Sequence, residues 1–301
     1  MRVKESPLRD LLRLAIWYPF RYAVLLMPVR AAFHAYSLLG RLHAAFARGT
    51  ARMLRAKFEA HGCQSGPEDA RRYFENHYVD RLHIFLYPRL TTEQALEPYV
   101  VFDNKHVLDE ALASGRGVLV VQPHFGPVQI TLLALALKGH NPIQIGYPTD
   151  KGLSWVGRKV AYRLRLKYEG MLPVPIISAD SYIGRAFKHL KRGGVVLSTG
   201  DFAGGDTYLG EHAELPFLGQ QCMMPLGPAS LALRTGAVYM PTFIIPERAD
   251  RFRIAFGSPV IPADKDSLEE RTRIARAFIS EAESYIRKYP WCWHHWADLK
   301  G

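Results

Sequence analysis

Residues 117–127 read Gly117-Val-Leu-Val-Val-Gln-Pro-His-Phe-Gly-Pro127, and this stretch decides the fold. Its first six residues form a β-branched, apolar run, which predicts a buried strand over residues 117–122. Pro127 then opens a helical pattern that ends near Lys138, with Gly139 just beyond it. A buried strand followed by a helix is typical of a crossover unit in a parallel sheet.

The same alternation continues to the end of the chain. Further strands are predicted over residues 142–146, 172–177, 194–199, 237–245 and 251–257. Helices are predicted over residues 155–167, 178–192, 225–234 and 267–289, and upstream over residues 65–86. The glycine-rich residues 200–219 are predicted to form a long loop. The fold class is therefore α/β, with a mixed, largely parallel central sheet flanked by helices.

The N-terminal segment is apolar and aromatic over residues 11–39, but five residues interrupt it: Arg13, Pro19, Arg21, Pro28 and Arg30. No stretch reaches the ~20 apolar residues of a spanning helix. The pattern predicts an amphipathic helical segment that lies in the membrane interface. A helix buried in the protein core is the alternative. We therefore divide the chain into a membrane-interface segment, residues 1–49, and an α/β domain, residues 50–301.

The net charge of the chain is +11. Such a balance suits an anionic membrane surface, an acidic carrier protein or nucleic acid, although a generally basic surface would give the same total. Nucleic-acid binding is not expected, because no dense block of Lys and Arg and no recognised reading element is present. Three widely spaced cysteines predict neither a disulfide framework nor a zinc site.

His124 is the first candidate for chemistry, because it follows a buried strand and directly precedes a helix. Ligands of such sheets bind beyond the carboxyl ends of the strands. A neutral imidazole there can take a proton from an alcohol or an amine, and the helix start offers N–H groups to an anion. Gly126 would allow a tight turn. The alternative is a capping or core histidine.

A second turn on the same edge follows the strand predicted over residues 194–199. It carries Asp201 and Asp206, two carboxylates that could orient a histidine, although solvated loop acids would look the same. The glycines around them match neither the Walker nor the dinucleotide spacing. No metal-ligand pattern is present, and the adjacent His294 and His295 do not predict a zinc site.

Several motifs, in order along nearly the whole chain, resemble the lysophospholipid-acyltransferase superfamily. Gln122-Pro-His-Phe-Gly126 resembles its N-H-x-G-N-W-E-type motif. The most similar branch contains the lipid A late acyltransferases (lauroyl or myristoyl) and the phosphatidylinositol-mannoside acyltransferases. Further matches are Tyr147-Pro148, Gly194-Val-Val-Leu-Ser-Thr-Gly-Asp201, Leu215-Pro-Phe-Leu-Gly219, Leu231-Ala-Leu-Arg-Thr-Gly-Ala237 with Pro241, and Tyr289-Pro-Trp-Cys-Trp-His-His-Trp296.

The resemblance implies a membrane-associated acyltransferase with His124 as general base. The donor would be an acyl thioester of acyl carrier protein or coenzyme A, and the acceptor a hydroxyl or amine of a lipid or glycolipid. Backbone N–H groups near Gly126 would stabilise the developing charge, and no cofactor is needed. The expected location is the cytoplasmic face of a bacterial inner membrane. Further candidates for substrate contact are Phe125, Tyr147, Arg158, Asp206, Pro216 and Phe217.

One departure from the family pattern concerns the partner of His124. The family has an acid five positions after its histidine, where this chain has Gln129. A glutamine can hold a ring by a hydrogen bond but cannot stabilise an imidazolium as a carboxylate does. We therefore predict a His124–Asp201 pair, with Asp206 as second choice and Gln129 holding the loop or the substrate. The alternative is an inactive or diverged lipid-binding protein on the same fold.

Overall fold

A computed structural model describes residues 5–146, 149–201, 210–263 and 266–299. The strands are β1 Val100–Asp103, β2 Val118–Gln122, β3 Ile143–Gly146, β4 Ile176–Ser178, β5 Val195–Thr199, β6 His212–Phe217, β7 Gln220–Pro225, β8 Val238–Arg248 and β9 Arg251–Phe256. Seven of them form one sheet in the order β1-β9-β8-β2-β5-β3-β4. Every neighbouring pair in it is parallel except β8 and β9. The predicted fold class is confirmed.

Helices cover both faces of the sheet. They are α1 Pro7–Ala15, α2 Arg21–Leu26, α3 Val29–Phe46, α4 Arg48–Ala60, α5 Asp69–Leu82, α6 Glu93–Leu96, α7 Lys105–Ala113, α8 Gln129–Leu137, α9 Arg163–Glu169, α10 Gly184–Lys191, α11 Gly227–Thr235 and α12 Leu268–Lys288. Short π-helical segments, Ile16–Phe20 and Gly157–Tyr162, precede α2 and α9. Short 3-10 helices occupy His83–Arg89, Glu97–Tyr99 and Pro290–Cys292.

Strand β2 lies near the centre of the sheet, between β5 and β8, and all five of its residues are buried. Val118 and Val120 face a core cluster that includes Phe33 of α3. Leu119 and Val121 face the opposite cluster, which includes Phe278 of α12. Because both faces are covered, the strand is a continuous apolar run rather than an alternating one.

The predicted loop over residues 200–219 is wrong in its second half. Strands β6 and β7 pair there as an antiparallel hairpin outside the main sheet. Its two turn residues, Leu218 and Gly219, both have positive φ, at 49° and 79°. The sequence pattern does not predict this hairpin, because Pro216 and Gly219 normally mark a break in strand structure.

One further predicted boundary is corrected. The predicted helix over residues 178–192 begins only at Gly184, since Ser178 is the last residue of β4. The Ser178 hydroxyl donates to Asp180 in the following turn rather than capping a helix. By contrast, Ser267 does cap α12, because its hydroxyl accepts the backbone N–H of Glu270 at 3.1 Å.

The N-terminal segment divides at Pro28, which is the N-cap of α3. On α3, Phe33 and Tyr36 are fully buried, so the core-helix alternative describes this helix. Helices α1 and α2 instead expose large apolar side chains, including Leu8, Leu11 and Leu26. Among the described residues, no helix is long and apolar enough to cross a membrane. The domain boundary at residue 49 stays a prediction.

Candidate active site

The sheet topology brings the two predicted turns together. Strands β2 and β5 are adjacent and parallel, and their last residues, Gln122 and Thr199, are register partners. The turn that carries His124 and the residue Asp201 therefore emerge from the same sheet edge. This juxtaposition follows from strand order, because the carboxyl ends of neighbouring parallel strands point the same way.

His124 and Asp201 form a hydrogen-bonded pair. The ring Nδ1 of His124 lies 2.7 Å from Oδ1 of Asp201, and the His124 backbone N–H donates to Oδ2 at 2.9 Å. The indole N–H of Trp293 donates to the same Oδ2, also at 2.9 Å. The Asp201 side chain is fully buried, while 35% of the His124 side chain is exposed. A buried carboxylate thus fixes an imidazole that solvent can still reach.

Each partner shifts the pKa of the other. Burial opposes the charged form of His124, but the negative charge of Asp201 and the hydrogen bond to it outweigh burial and raise the pKa of His124. Burial would likewise raise the pKa of Asp201. The charge of His124 and its hydrogen bond, with smaller contributions from His295 and Trp293, lower the pKa of Asp201 instead. The pair therefore favours an imidazolium beside a carboxylate.

Gly126 allows the turn to pack directly against β8. Its φ is 67°, and a Cβ atom there would lie 2.3 Å from the carbonyl oxygen of Ile244. Its N–H donates to the carbonyl of Cys292 at 2.8 Å. The Gly126 N–H is therefore already used and is not expected to stabilise a developing oxyanion, whereas that role for other N–H groups near it and at the helix start stays a prediction.

A C-terminal segment, residues 292–295, completes the site. The backbone N–H of His294 donates to the His124 carbonyl at 2.9 Å. The ring of His295 stands perpendicular to that of His124, with 4.5 Å between the ring centroids. His295 Nδ1 lies 3.0 Å from Oδ2 of Asp298, and this hydrogen bond holds the pKa of Asp298 at about 2. These residues were not predicted as site residues, although the family-like closing motif contains them.

Within the residues that the structure describes, the side chain of Gln129 forms hydrogen bonds with Tyr87 and Glu169 and not with the His124–Asp201 pair. Its side-chain N–H donates to Oε1 of Glu169 at 2.9 Å, and its oxygen accepts the Tyr87 hydroxyl at 2.8 Å. Arg165 donates to the same Glu169 oxygen at 2.8 Å. Glu169 and Tyr87 are both buried, so Gln129 anchors the start of α8 to a buried polar group. No hydrogen bond joins Gln129 to His124 in the described parts of the chain.

The other candidates for substrate contact are spread over the molecule. Phe125 and Phe217 are buried, with their rings packed on Phe243 and Trp293 respectively, so they support the site from the core instead of lining an open surface. Pro216 on β6 and Arg158 on a π-helical segment are exposed. Two more candidates, Tyr147 and Asp206, lie outside the described residues.

Three side chains of the site have atoms that metal ions accept as ligands. The ligand atoms of His124, Asp201 and His295 all lie within 4.8 Å of one another. Both oxygens of Asp201 already accept N–H hydrogen bonds, so a metal ion would compete with His124 and Trp293 for the carboxylate. The geometry as it stands is that of an imidazole–carboxylate pair.

The fold and the site together define an α/β protein with a hydrogen-bonded imidazole–carboxylate pair at the carboxyl edge of its sheet. The family model for the bacterial lipid A biosynthesis acyltransferases matches residues 6–297, and the chain belongs to this family. It is an acyltransferase that acts on lipid, as the superfamily resemblance predicted. Among curated proteins, no sequence matches the chain.

One solved structure similar to this chain is the 1-acyl-sn-glycerophosphate (LPA) acyltransferase PlsC from Thermotoga maritima. The two sequences are 14% identical, and the TM-score is 0.34. The match covers 83% of this chain and 97% of the other.

Proposed function

We propose that this acyltransferase moves a fatty acyl group from an acyl thioester to a hydroxyl or amine of a lipid or glycolipid, with His124 as general base. The observation that supports the proposal best is the 2.7 Å hydrogen bond between the partly exposed His124 and the fully buried Asp201. A base needs one nitrogen held and the other open to the substrate; Asp201 holds Nδ1, and the His124 side chain is partly exposed.

The first step is proton removal. A carboxylate only accepts hydrogen bonds, so Nδ1 of His124 carries a proton toward Asp201 and Nε2 holds the lone pair. Nε2 takes the proton of the acceptor O–H or N–H as the oxygen or nitrogen attacks the thioester carbonyl carbon. The imidazolium that forms is stabilised by the negative charge of Asp201.

The second step is collapse of the tetrahedral intermediate. The C–S bond breaks, the carbonyl re-forms, and the sulfur leaves with the electron pair. His124 returns its proton to that thiolate, so the products are an acylated acceptor and a free thiol. The histidine ends neutral, and no proton is left over.

Asp201 supplies the acid that position 129 lacks. Gln129 can hold the start of α8 against Glu169, but it cannot share the charge of an imidazolium. The site therefore does not depend on an acid five residues after the histidine. The Asp201 carboxylate therefore favours an active enzyme over an inactive lipid-binding protein.

We propose that α1, α2 and residues 155–167 dock on the bilayer. Asp10 accepts the Ser154 hydroxyl at 2.6 Å, which places the exposed Trp155 beside α1. Helices α1 and α2 also expose apolar side chains: Leu8, Leu11, Leu12, Tyr22 and Leu26. Exposed cations follow Trp155 in the chain, at Arg158, Lys159, Arg163 and Lys167. Apolar side chains beside cations suit the anionic, cytoplasmic face of a bacterial inner membrane.

The test is acyl transfer by the purified protein. Acyl carrier protein and coenzyme A thioesters are offered with lipid extracts, and new acylated lipids are identified by mass spectrometry. His124→Ala should lower turnover at least about 100-fold, because general base catalysis contributes ~10²–10⁴-fold. His106, exposed on α7, provides the matched control as His106→Ala. Retention of more than about a tenth of the activity in His124→Ala would exclude His124 as the base.

The same assay addresses the inactive alternative. Lipid binding by the wild-type chain without transfer from either thioester would favour a diverged lipid-binding protein. Comparison of lipids from cells with and without the protein would then identify the bound or modified acceptor.

A further inference from the structure

Among the described residues, three N–H groups donate to the carboxylate of Asp201, and one of them comes from the C-terminal segment. Two donors belong to His124, its ring Nδ1 and its backbone N–H. The third is the indole N–H of Trp293, at 2.9 Å from Oδ2. Trp293 is fully buried, so this bond is shielded from water. A charge-assisted hydrogen bond in such a place is stronger than one at the surface.

The backbone holds Trp293 in register with the His124 turn. Phe125 and Trp293 form an antiparallel bridge, flanked by hydrogen bonds from Gly126 N–H to Cys292 and from His294 N–H to His124. The indole ring packs against Phe217, with 5.4 Å between the centroids. Both the main chain and the ring of Trp293 are thus fixed relative to the pair.

We propose that Trp293 is a positioning residue for acyl transfer, which fixes the Asp201 carboxylate and limits how strongly it attracts the proton of His124. The inference rests on the proposed function of the pair. Trp293 is fully buried and its indole N–H meets the Asp201 carboxylate, so its effect on the reaction is assigned to that carboxylate. Its contribution is therefore separate from that of His124 as the base.

Removal of the Trp293 N–H should raise the pKa of His124. Loss of the indole N–H removes a donor that stabilises the carboxylate, so Asp201 attracts protons more strongly and the imidazolium beside it becomes more stable. The pKa of His124 then rises, and less of the neutral base is present at a given pH. Other charged or titratable groups near the ring stay in place: His295 and His294 on the C-terminal segment, and Asp80 and Arg81 around the end of α5.

The experiment compares Trp293→Phe with Trp296→Phe in the full-length protein. Trp296 is equally buried, and its ring lies 5.2 Å from that of Trp293. Its indole N–H donates to the carbonyl of Pro290 at 2.7 Å and not to Asp201. Both variants lose one buried indole hydrogen bond, but only Trp293→Phe changes the carboxylate of the pair.

The main readout is the His124 ring titration, followed by NMR on protein with labelled histidine and assigned with His124→Ala. In Trp293→Phe the pKa of His124 should rise by about 0.5–1 unit, the worth of one hydrogen bond. The acid limb of kcat/KM should move by the same amount, and kcat should fall about tenfold. Trp296→Phe should leave the titration unchanged.

Equal titration curves in the two variants would overturn the proposal, even if Trp293→Phe lowered activity. If Trp293→Phe does not fold, benzothienylalanine at position 293 keeps the ring shape without the N–H, and the same two outcomes apply. The NMR titration needs no substrate. Absence of transfer by the wild type would therefore refute the proposed function and leave the role of Trp293 open to measurement.

Discussion

The Nδ1 atom of His124 lies 2.7 Å from Oδ1 of Asp201, although 77 residues separate them in the chain. Strands β2 and β5 close this separation, because they are adjacent and parallel and end at the same edge. The acid that orients the histidine comes from the next strand of the sheet and not from the helix after the histidine. The turnover of variants at Asp201 and Gln129 can therefore be ranked.

Asp201→Asn should lower turnover much more than Gln129→Ala. An asparagine removes the charge that supports the imidazolium and can select the wrong ring tautomer, an effect on the order of 10²–10⁴-fold. Gln129→Ala only loosens the start of α8, which predicts a loss of less than about tenfold. Steady-state kinetics of both variants gives the ranking. A reversed order would mean that position 129 still carries the catalytic support.

Activity should depend on pH with an acid limb above the ordinary histidine pKa of about 6.5. The pair raises the pKa of His124, and only the neutral ring can act as a base, so kcat/KM should increase as pH rises through this raised value. In Asp201→Asn the acid limb should move to lower pH, because the negative charge is gone. A wild-type acid limb below about pH 6 would contradict the ion-pair description of the site.

Membrane docking through α1 can be tested with point substitutions. Deletion of the first 49 residues would also remove Phe33 and Tyr36 from the core, so it cannot isolate membrane binding. Replacing the exposed Leu8, Leu11 and Leu12 with Ser should weaken binding to anionic vesicles at least about 30-fold. Full burial of a leucine contributes roughly 1.5–3 kcal/mol, and about half of each of these side chains is free to enter the bilayer.

Leu268→Ser provides the control for that measurement, because Leu268 is comparably exposed at 58% but begins α12, outside the proposed docking face. Sedimentation with vesicles at low and high salt separates the two kinds of attachment. If high salt alone releases the wild-type protein completely, attachment is electrostatic and apolar insertion through α1 is wrong.

The juxtaposition of His124 and Asp201 can be predicted from the sequence. His124 and Asp201 each follow a buried apolar strand, and strand order then brings them together. The β6–β7 hairpin is not predicted from the sequence, because Pro216 and Gly219 suggest a break and because Leu218 adopts a positive φ that its residue type does not signal. Trp293 and His295 were missed as site residues because their contacts with the His124 turn are long-range, and no local periodicity encodes such contacts.

The surroundings of Gln129 explain why an acid is absent there. Its side-chain N–H donates to Glu169, whose carboxylate is buried and already paired with Arg165. A carboxylate at position 129 would face that of Glu169 across a distance of about one hydrogen bond. Like charges in a buried site cannot both ionise without a large cost.

Gln129→Glu should therefore destabilise the protein without raising its activity. We expect the free energy of unfolding to fall by about 2–3 kcal/mol, because a buried hydrogen bond is replaced by repulsion or by a forced protonation. The double variant Gln129→Glu/Glu169→Gln exchanges the two groups and should recover most of the loss, since one acid and one amide again face each other. Denaturant unfolding of both variants measures this coupling. A stable, more active Gln129→Glu would show instead that an acid at position 129 reaches His124, and that Asp201 is not its only carboxylate partner.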